Sequence, residues 1–152
     1  MLVYQQSERA FDFPAERPEV KEGSFFRKQT MSKEHKANAL RIKCIDWRFA
    51  EVIANDAQVR GLNGNSDEIS WPGASKDFDN VSRAADISLK LHDPDQVYIY
   101  EHEDCGAYGK DNSEDSHRKN AYKLKAYLEE KKTGIQVSTF MATFSGIKEL
   151  LY

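Results

Sequence analysis

The chain is poor in cysteine, with only Cys44 and Cys105 among 152 residues. So sparse a pair is no disulfide framework, and none is needed, because folding buries roughly 70% of the surface of a chain this long. Long apolar runs are also missing. None approaches the ~20 residues of a membrane-spanning helix, so no membrane partner is expected. The opening stretch, MLVYQQSERAFDFPAERPEVKEG, has no basic flank followed by an apolar core. It does not read as a secretory signal, and the cytoplasm is the expected compartment. No positive charge is in excess: 22 Lys and Arg against 25 Asp and Glu leave a net −3, too mild to suggest a nucleic-acid partner. The chain also lacks internal repeats, low-complexity tracts, a Cys-x-x-Cys pair and a Gly-rich loop opening a helix. Asn63-Gly64-Asn65-Ser66 therefore reads as a turn and not as a phosphate cradle.

What is present fits one soluble globular domain, with 39% apolar and 31% charged residues. Residues 1–36 look irregular, interrupted by Pro14, Pro18 and Gly23. Phe11, Phe13, Phe25 and Phe26 are too much aromatic surface for a free tail, so this arm is expected to pack on its own domain or on a partner subunit. From Ala39 the pattern becomes regular. Leu40, Ile42 and Cys44 alternate as in a strand; Phe49, Val52 and Ile53 follow helical spacing, with Gly61 as a stop. Glu68–Trp71 reads as a short strand ended by Pro72-Gly73. Ser75 is placed to cap a helix whose stripe is Phe78, Val81, Ala85 and Leu89. Gln96–Tyr100 is the next strand, residues 113–132 the next helix with Ala121, Leu124 and Leu128 inward, and Ile135–Phe144 the last long strand. The closing SGIKELLY is expected to turn back as a hairpin arm. This alternation predicts an α/β fold: a mostly parallel sheet of about four strands flanked by helices, with a C-terminal hairpin-like extension. In such sheets, sites lie beyond the C-terminal ends of the strands, where both cysteines fall.

Two segments there carry chemistry. Cys44-Ile45-Asp46-Trp47-Arg48 offers a thiol, a carboxylate and a guanidinium. His102-Glu103-Asp104-Cys105 offers an imidazole and a second thiol on one loop. Cys44, His102 and Cys105 together make a Cys₂His set suited to Zn²⁺, and three protein ligands leave one tetrahedral position open, as catalytic zinc sites do. Asp46 is either a fourth ligand or a hydrogen-bond acceptor beside the metal. Arg48, whose planar fork holds carboxylates bidentately, would keep Asp46 ionised and off the metal. Asp104 reads as a turn carboxylate. Trp47 and Trp71 are expected in core packing, and His35, His92 and His117 as solvated surface histidines, not proton shuttles.

Cys-x-Asp-x-Arg after a first strand and His-x-x-Cys-Gly after a later one resemble the β-class carbonic anhydrases, and the closing Phe144-Ser145-Gly146-Ile147-Lys148-Glu149-Leu150 resembles that family's terminal hairpin. The resemblance runs from about residue 39 to the end. It implies that residues 37–152 form a zinc-binding α/β domain with one Zn²⁺ on Cys44, His102 and Cys105. It also implies catalytic roles for Asp46 and Arg48, a homodimer as building block, and reversible hydration of CO₂ to bicarbonate and a proton with a zinc-bound hydroxide as nucleophile. Two departures are visible. Where the family carries an Arg-Asn-Ala-Gly-type turn, this chain reads Trp71-Pro72-Gly73-Ala74-Ser75, and its N-terminal region is short. Neither touches the ligand set; both bear on the substrate pocket. Competing readings are an inactive or repurposed zinc-binding homologue, including a hydrolase of carbon disulfide or carbonyl sulfide, and a redox protein using the two cysteines. The last leaves His102 without a role. Metal content and turnover separate the three.

Overall fold

The structure, a computed structural model, describes residues 35–152. The aromatic arm expected over residues 1–36 lies outside the described residues apart from His35 and Lys36. The described part is a five-stranded sheet with helices on both faces. Its elements are β1 (Ala39–Lys43), α1 (Ala50–Val59), β2 (Ser66–Ser70), α2 (Phe78–His92), β3 (Gln96–His102), α3 (Glu114–Lys131), β4 (Gln136–Thr143) and β5 (Gly146–Glu149). The strand order is β2-β1-β3-β4-β5. The first three pairings are parallel and β4–β5 is antiparallel.

The period-2 pattern of each inner strand decides which helix covers which face. Leu40 and Ile42 of β1, Val97 and Ile99 of β3, and Val137 and Met141 of β4 point to one side. There they meet Val81 and Ala85 of α2 and Ala121, Leu124 and Leu128 of α3. The alternate residues Tyr100, Phe140 and Ala142 point to the other side and meet Phe49 and Ile53 around α1. β3 is therefore apolar on both faces, as an inner parallel strand must be. α1 ends in a Schellman motif. Gly61 stands at φ +71°, the Leu62 amide reaches the Ala57 carbonyl at 2.9 Å, and the Gly61 amide reaches Gln58 at 3.0 Å.

The expected hairpin arm is present as β5, which closes the β4 edge with Phe140 opposite Glu149 and Thr143 opposite Gly146. The expected architecture is thus realised with a fifth strand in the same sheet. Ser75 does not cap α2. The Pro72-Gly73 turn carries Ser75 into the interior, where it is fully buried, and the helix starts later, capped by Asp77 accepting from the Asn80 amide. Neither tryptophan is in the core. Trp47 is 82% exposed, and Trp71 lies along the surface with its indole N–H on Asp77 Oδ2 at 2.8 Å. His117 is buried and not solvated; the first turn of α3 directs it inward, onto a carboxylate from β3.

Candidate metal centre

The parallel pairing of β1 with β3 puts Lys43 opposite Tyr100. Cys44, one residue past β1, and His102, the last residue of β3, therefore emerge at the same end of the sheet. Asp104 then takes φ +53°, a left-handed backbone that Asp tolerates better than most residues, and the turn brings Cys105 back beside His102. All three candidate ligands are buried, and their donor atoms lie within 4.8 Å of one another. The two sulfurs are 4.0 Å apart. Two thiolates on a tetrahedral Zn²⁺ at ~2.3 Å each would stand ~3.8 Å apart, so the spacing is already that of a metal site. His102 Nδ1 faces the Glu103 carbonyl at 2.7 Å, which assigns the proton to Nδ1 and the lone pair to Nε2. That Nε2 is the buried side-chain nitrogen without a hydrogen-bond partner among the described residues. A buried imidazole nitrogen left bare beside two sulfurs is costly unless a cation fills the gap. The donor set therefore fits zinc.

The electrostatics agree. Hydrogen bonding from the Cys105 thiol, against the opposing effect of burial, draws the Cys44 thiol well below the ordinary thiol range, with help from His102 and the Gly73 amide. The Cys44 sulfur in turn drives Cys105 up, so the two sulfurs by themselves favour one thiolate and one thiol. A divalent cation removes that conflict by favouring both thiolates. Burial opposes protonation of His102, but the nearby Cys44 sulfur, the Glu103 carbonyl and the Asp46 carboxylate outweigh it, and the net shift is upward.

Asp46 and Arg48 are held together next to this trio. Asp46 opens the 3₁₀ turn Trp47–Phe49, and its Oδ1 accepts from the Arg48 amide at 3.0 Å. The Arg48 guanidinium closes on both Asp46 oxygens, with Nη2 at 2.7 Å from Oδ2 and Nε at 3.1 Å from Oδ1. That ion pair is the main reason Asp46 is held down to about 2. Asp46 Oδ2 lies 4.0 Å from His102 Nε2, close to the trio yet tied to Arg48.

Three further parts of the site gave no clear signal in the sequence. Asp104 is a second carboxylate on Arg48, with Nη1 at 2.8 Å and the Asp104 carbonyl at 3.0 Å from Nη2. The guanidinium also lies 5.7 Å from the Phe49 and Phe144 rings, a cation–π seat. The altered Trp71–Ser75 turn supplies the Gly73 amide, which donates to Cys44 Sγ at 3.3 Å. Beyond the trio opens a cavity of about 400 Å³, lined by Ile45, Trp47, Pro72 and Ala107 beside Cys44 and Asp46. His35 and His92 lie far from it. His92 pairs with Asp67 near the start of β2, at the opposite end of the sheet, and a pocket there also takes in His35.

No family model matches the chain. Two similar curated proteins are themselves described as uncharacterized. One, from Rickettsia bellii, is 27% identical over 82% of this chain and 91% of that protein. The other, protein RC0076 of Rickettsia conorii, is 27% identical over 82% and 80%. Among solved structures, a carbonic anhydrase from Streptococcus mutans superposes with TM-score 0.58 at 16% identity, covering 82% of this chain and 89% of that one. The apo form of a carbon disulfide hydrolase gives 0.56 at 11% identity, over 76% and 79%. A chain from the crystal structures of two tetrameric β-carbonic anhydrases of Sordaria macrospora gives 0.54 at 13%, over 75% and 80%. At these identities the likeness is one of fold: the chain has the α/β fold of the β-carbonic anhydrases, with a Cys₂His cluster at the C-terminal ends of its strands.

Proposed function

We propose that the chain is a zinc-dependent lyase that hydrates CO₂ reversibly to bicarbonate and a proton. The observation that carries this reading is the unpartnered His102 Nε2, set between two thiol ligands and 4.0 Å from a carboxylate that an arginine holds ionised. Cys44, His102 and Cys105 hold the metal. Bound zinc supplies the Lewis acidity that makes water a nucleophile near neutral pH. The chain's own residues do the rest. Asp46, clamped by Arg48, accepts a hydrogen bond from the attacking water and directs its lone pair toward the substrate carbon. Arg48 is itself fixed by Asp104, Phe49 and Phe144, so the carboxylate does not have to be reoriented during turnover. The apolar side chains of Ile45, Trp47, Pro72 and Ala107 suit an uncharged, poorly hydrated substrate.

A homodimer, or a multiple of one, in the cytoplasm goes with this reading. The cavity of about 400 Å³ is far larger than a triatomic substrate needs, a liquid water taking ~30 Å³. Ile45 and Trp47, which line it, and Phe144, which packs against Arg48, are well exposed in the single chain. A second copy laid over them would cover apolar surface and narrow the cavity. Among the described residues no helix is long and apolar enough to cross a membrane.

A second reading, hydrolysis of a related small electrophile such as carbon disulfide or carbonyl sulfide, is favoured by the likeness to a carbon disulfide hydrolase and by the changed turn at Trp71–Ser75. Offering CO₂ and carbon disulfide separately to the zinc-loaded protein decides between them. Rapid CO₂ hydration with no sulfide release supports the lyase. Sulfide release without CO₂ hydration supports the hydrolase, and a zinc-loaded protein inert to both rejects catalysis on either substrate.

A further inference from the structure

One buried polar cluster has no part in that chemistry. Glu101 is 1% exposed, a carboxylate in β3 between Tyr100 and His102. A buried carboxylate is costly unless its lone pairs are met, and here they are. Oε1 accepts from the Ser75 amide at 3.1 Å and from the Ser75 hydroxyl. Oε2 accepts from the Tyr108 hydroxyl at 3.0 Å and faces His117 Nδ1 at 2.7 Å. His117 is equally buried, with its ring centroid 3.7 Å from that of Tyr108. Its Nε2 lies 2.8 Å from Asn112 Oδ1, and the same oxygen accepts from the Cys105 amide at 3.2 Å. A backbone N–H only donates, so the atom it faces is the Asn112 oxygen, and His117 Nε2 must donate to it as well. One proton then lies between Nδ1 and Oε2, and the pair has no net charge whichever atom carries it.

Each branch of this cluster ends at one of the three candidate ligands. Asn112 fixes the backbone of Cys105. Ser75 anchors the turn whose Gly73 amide donates to Cys44 Sγ. Glu101 directly precedes His102 in β3, and His117 ties α3 to all of them. We infer that Glu101, His117 and Asn112 are positioning residues that hold the ligand trio at metal-binding spacing before the ion arrives. This rests on the reading of Cys44, His102 and Cys105 as metal ligands. None of the three positioning residues faces the substrate cavity, so their effect falls on metal affinity and ligand geometry. The carboxylate and the histidine come from different elements, and the spacing between Glu101 and His117 gives no motif; the visible sign is a glutamate directly after the apolar run Val97–Tyr100, still within β3.

The test is a Co²⁺ titration of the metal-free full chain, read by the thiolate-to-metal charge-transfer absorbance, with a melting curve of each metal-free form alongside. Asn112 is exposed, so Asn112→Ala removes the shared acceptor at small risk to the fold. The expected result is a 10- to 100-fold loss of Co²⁺ affinity with a shifted absorbance band and an almost unchanged melting temperature. Asn112→Asp, which keeps an acceptor, is expected to recover both. His117→Gln is expected to lose affinity in the same range. A folded Asn112→Ala chain with wild-type affinity and spectrum overturns the inference and leaves the ligand reading intact. A wild-type chain with no thiolate band overturns the ligand reading, and this inference with it.

Discussion

Replacing Arg48 with alanine removes the clamp on Asp46 while leaving every candidate metal ligand in place. Lost with it are the bidentate grip on both Asp46 oxygens, the bridge to Asp104 and the packing against Phe49 and Phe144. Asp46 keeps its charge, because even released from a value of about 2 to the ordinary carboxylate value of 3.8 it is ionised at neutral pH. What changes is its freedom: Oδ2 already stands 4.0 Å from His102 Nε2 and is free to turn toward the metal. A displacement of ~1 Å in a positioned catalytic group costs about 10²-fold, and loss of a preorganised polar group about 10²–10³-fold. The expected outcome is therefore a 10²–10³-fold fall in kcat for CO₂ hydration, with zinc still bound stoichiometrically and the pH profile between about 6 and 9 unchanged in shape. Stopped-flow hydration with a pH indicator, together with metal analysis, measures all three. Undiminished kcat refutes the clamp. Activity restored by raising the pH shows that Arg48 acts by setting an ionisation and not by holding a position.

Other outcomes follow from the same geometry. Asp46 has a folded-state value near 2, below the ordinary 3.8, so its pair with Arg48 adds stability above about pH 4 that is lost as the pH falls toward 2. Melting curves of the metal-free Asp46→Asn chain should lie below wild type at pH 6 and converge with it near pH 2; a constant gap across that range contradicts the pairing. Gly73→Ala puts a methyl 3.1 Å from the Ala107 Cβ and 3.2 Å from the Lys76 Cβ at a φ of +75°. It should destabilise the chain by about 1–3 kcal/mol and weaken metal binding by disturbing the amide on Cys44, checked by denaturant unfolding and chelator competition. Trp47→Ala removes a side chain 82% exposed in the single chain. If a second copy covers the cavity, sedimentation should show a shift from dimer toward monomer; a variant dimerising as tightly as wild type places Trp47 outside that interface.

The architecture was legible because each segment repeats with its own period. Leu40 and Ile42 alternate, Val81 and Ala85 recur at helical spacing, and the order of such segments leaves few ways to build a covered parallel sheet. The meeting of Cys44, His102 and Cys105 was legible because thiol and imidazole fall in two short motifs at strand ends, where the topology converges. What could not be read depended on contacts between distant segments. Ser75 looks like a cap because it precedes an apolar stripe, yet a carboxylate from β3 draws it inside. His117 sits in a polar stretch, Lys110–Lys119, and only the helix phase together with Glu101 makes it a core residue. Trp47 and Trp71 look like core by their size, but the strand-end turns that build the site hold them outward. Asp104 reads as a turn residue, which it is; its grip on Arg48 depends on the meeting of β1 and β3.

In the proposed function, Cys44, His102 and Cys105 hold one zinc ion that drives CO₂ hydration. The most direct test measures zinc content and stopped-flow CO₂ hydration on the same preparations of the wild-type chain and of Cys105→Ser. The expected result is one zinc per chain with rapid turnover in the wild type, and loss of both in the variant. One zinc per chain with no turnover would contradict the assigned reaction, and turnover that survives in Cys105→Ser would contradict the assigned site.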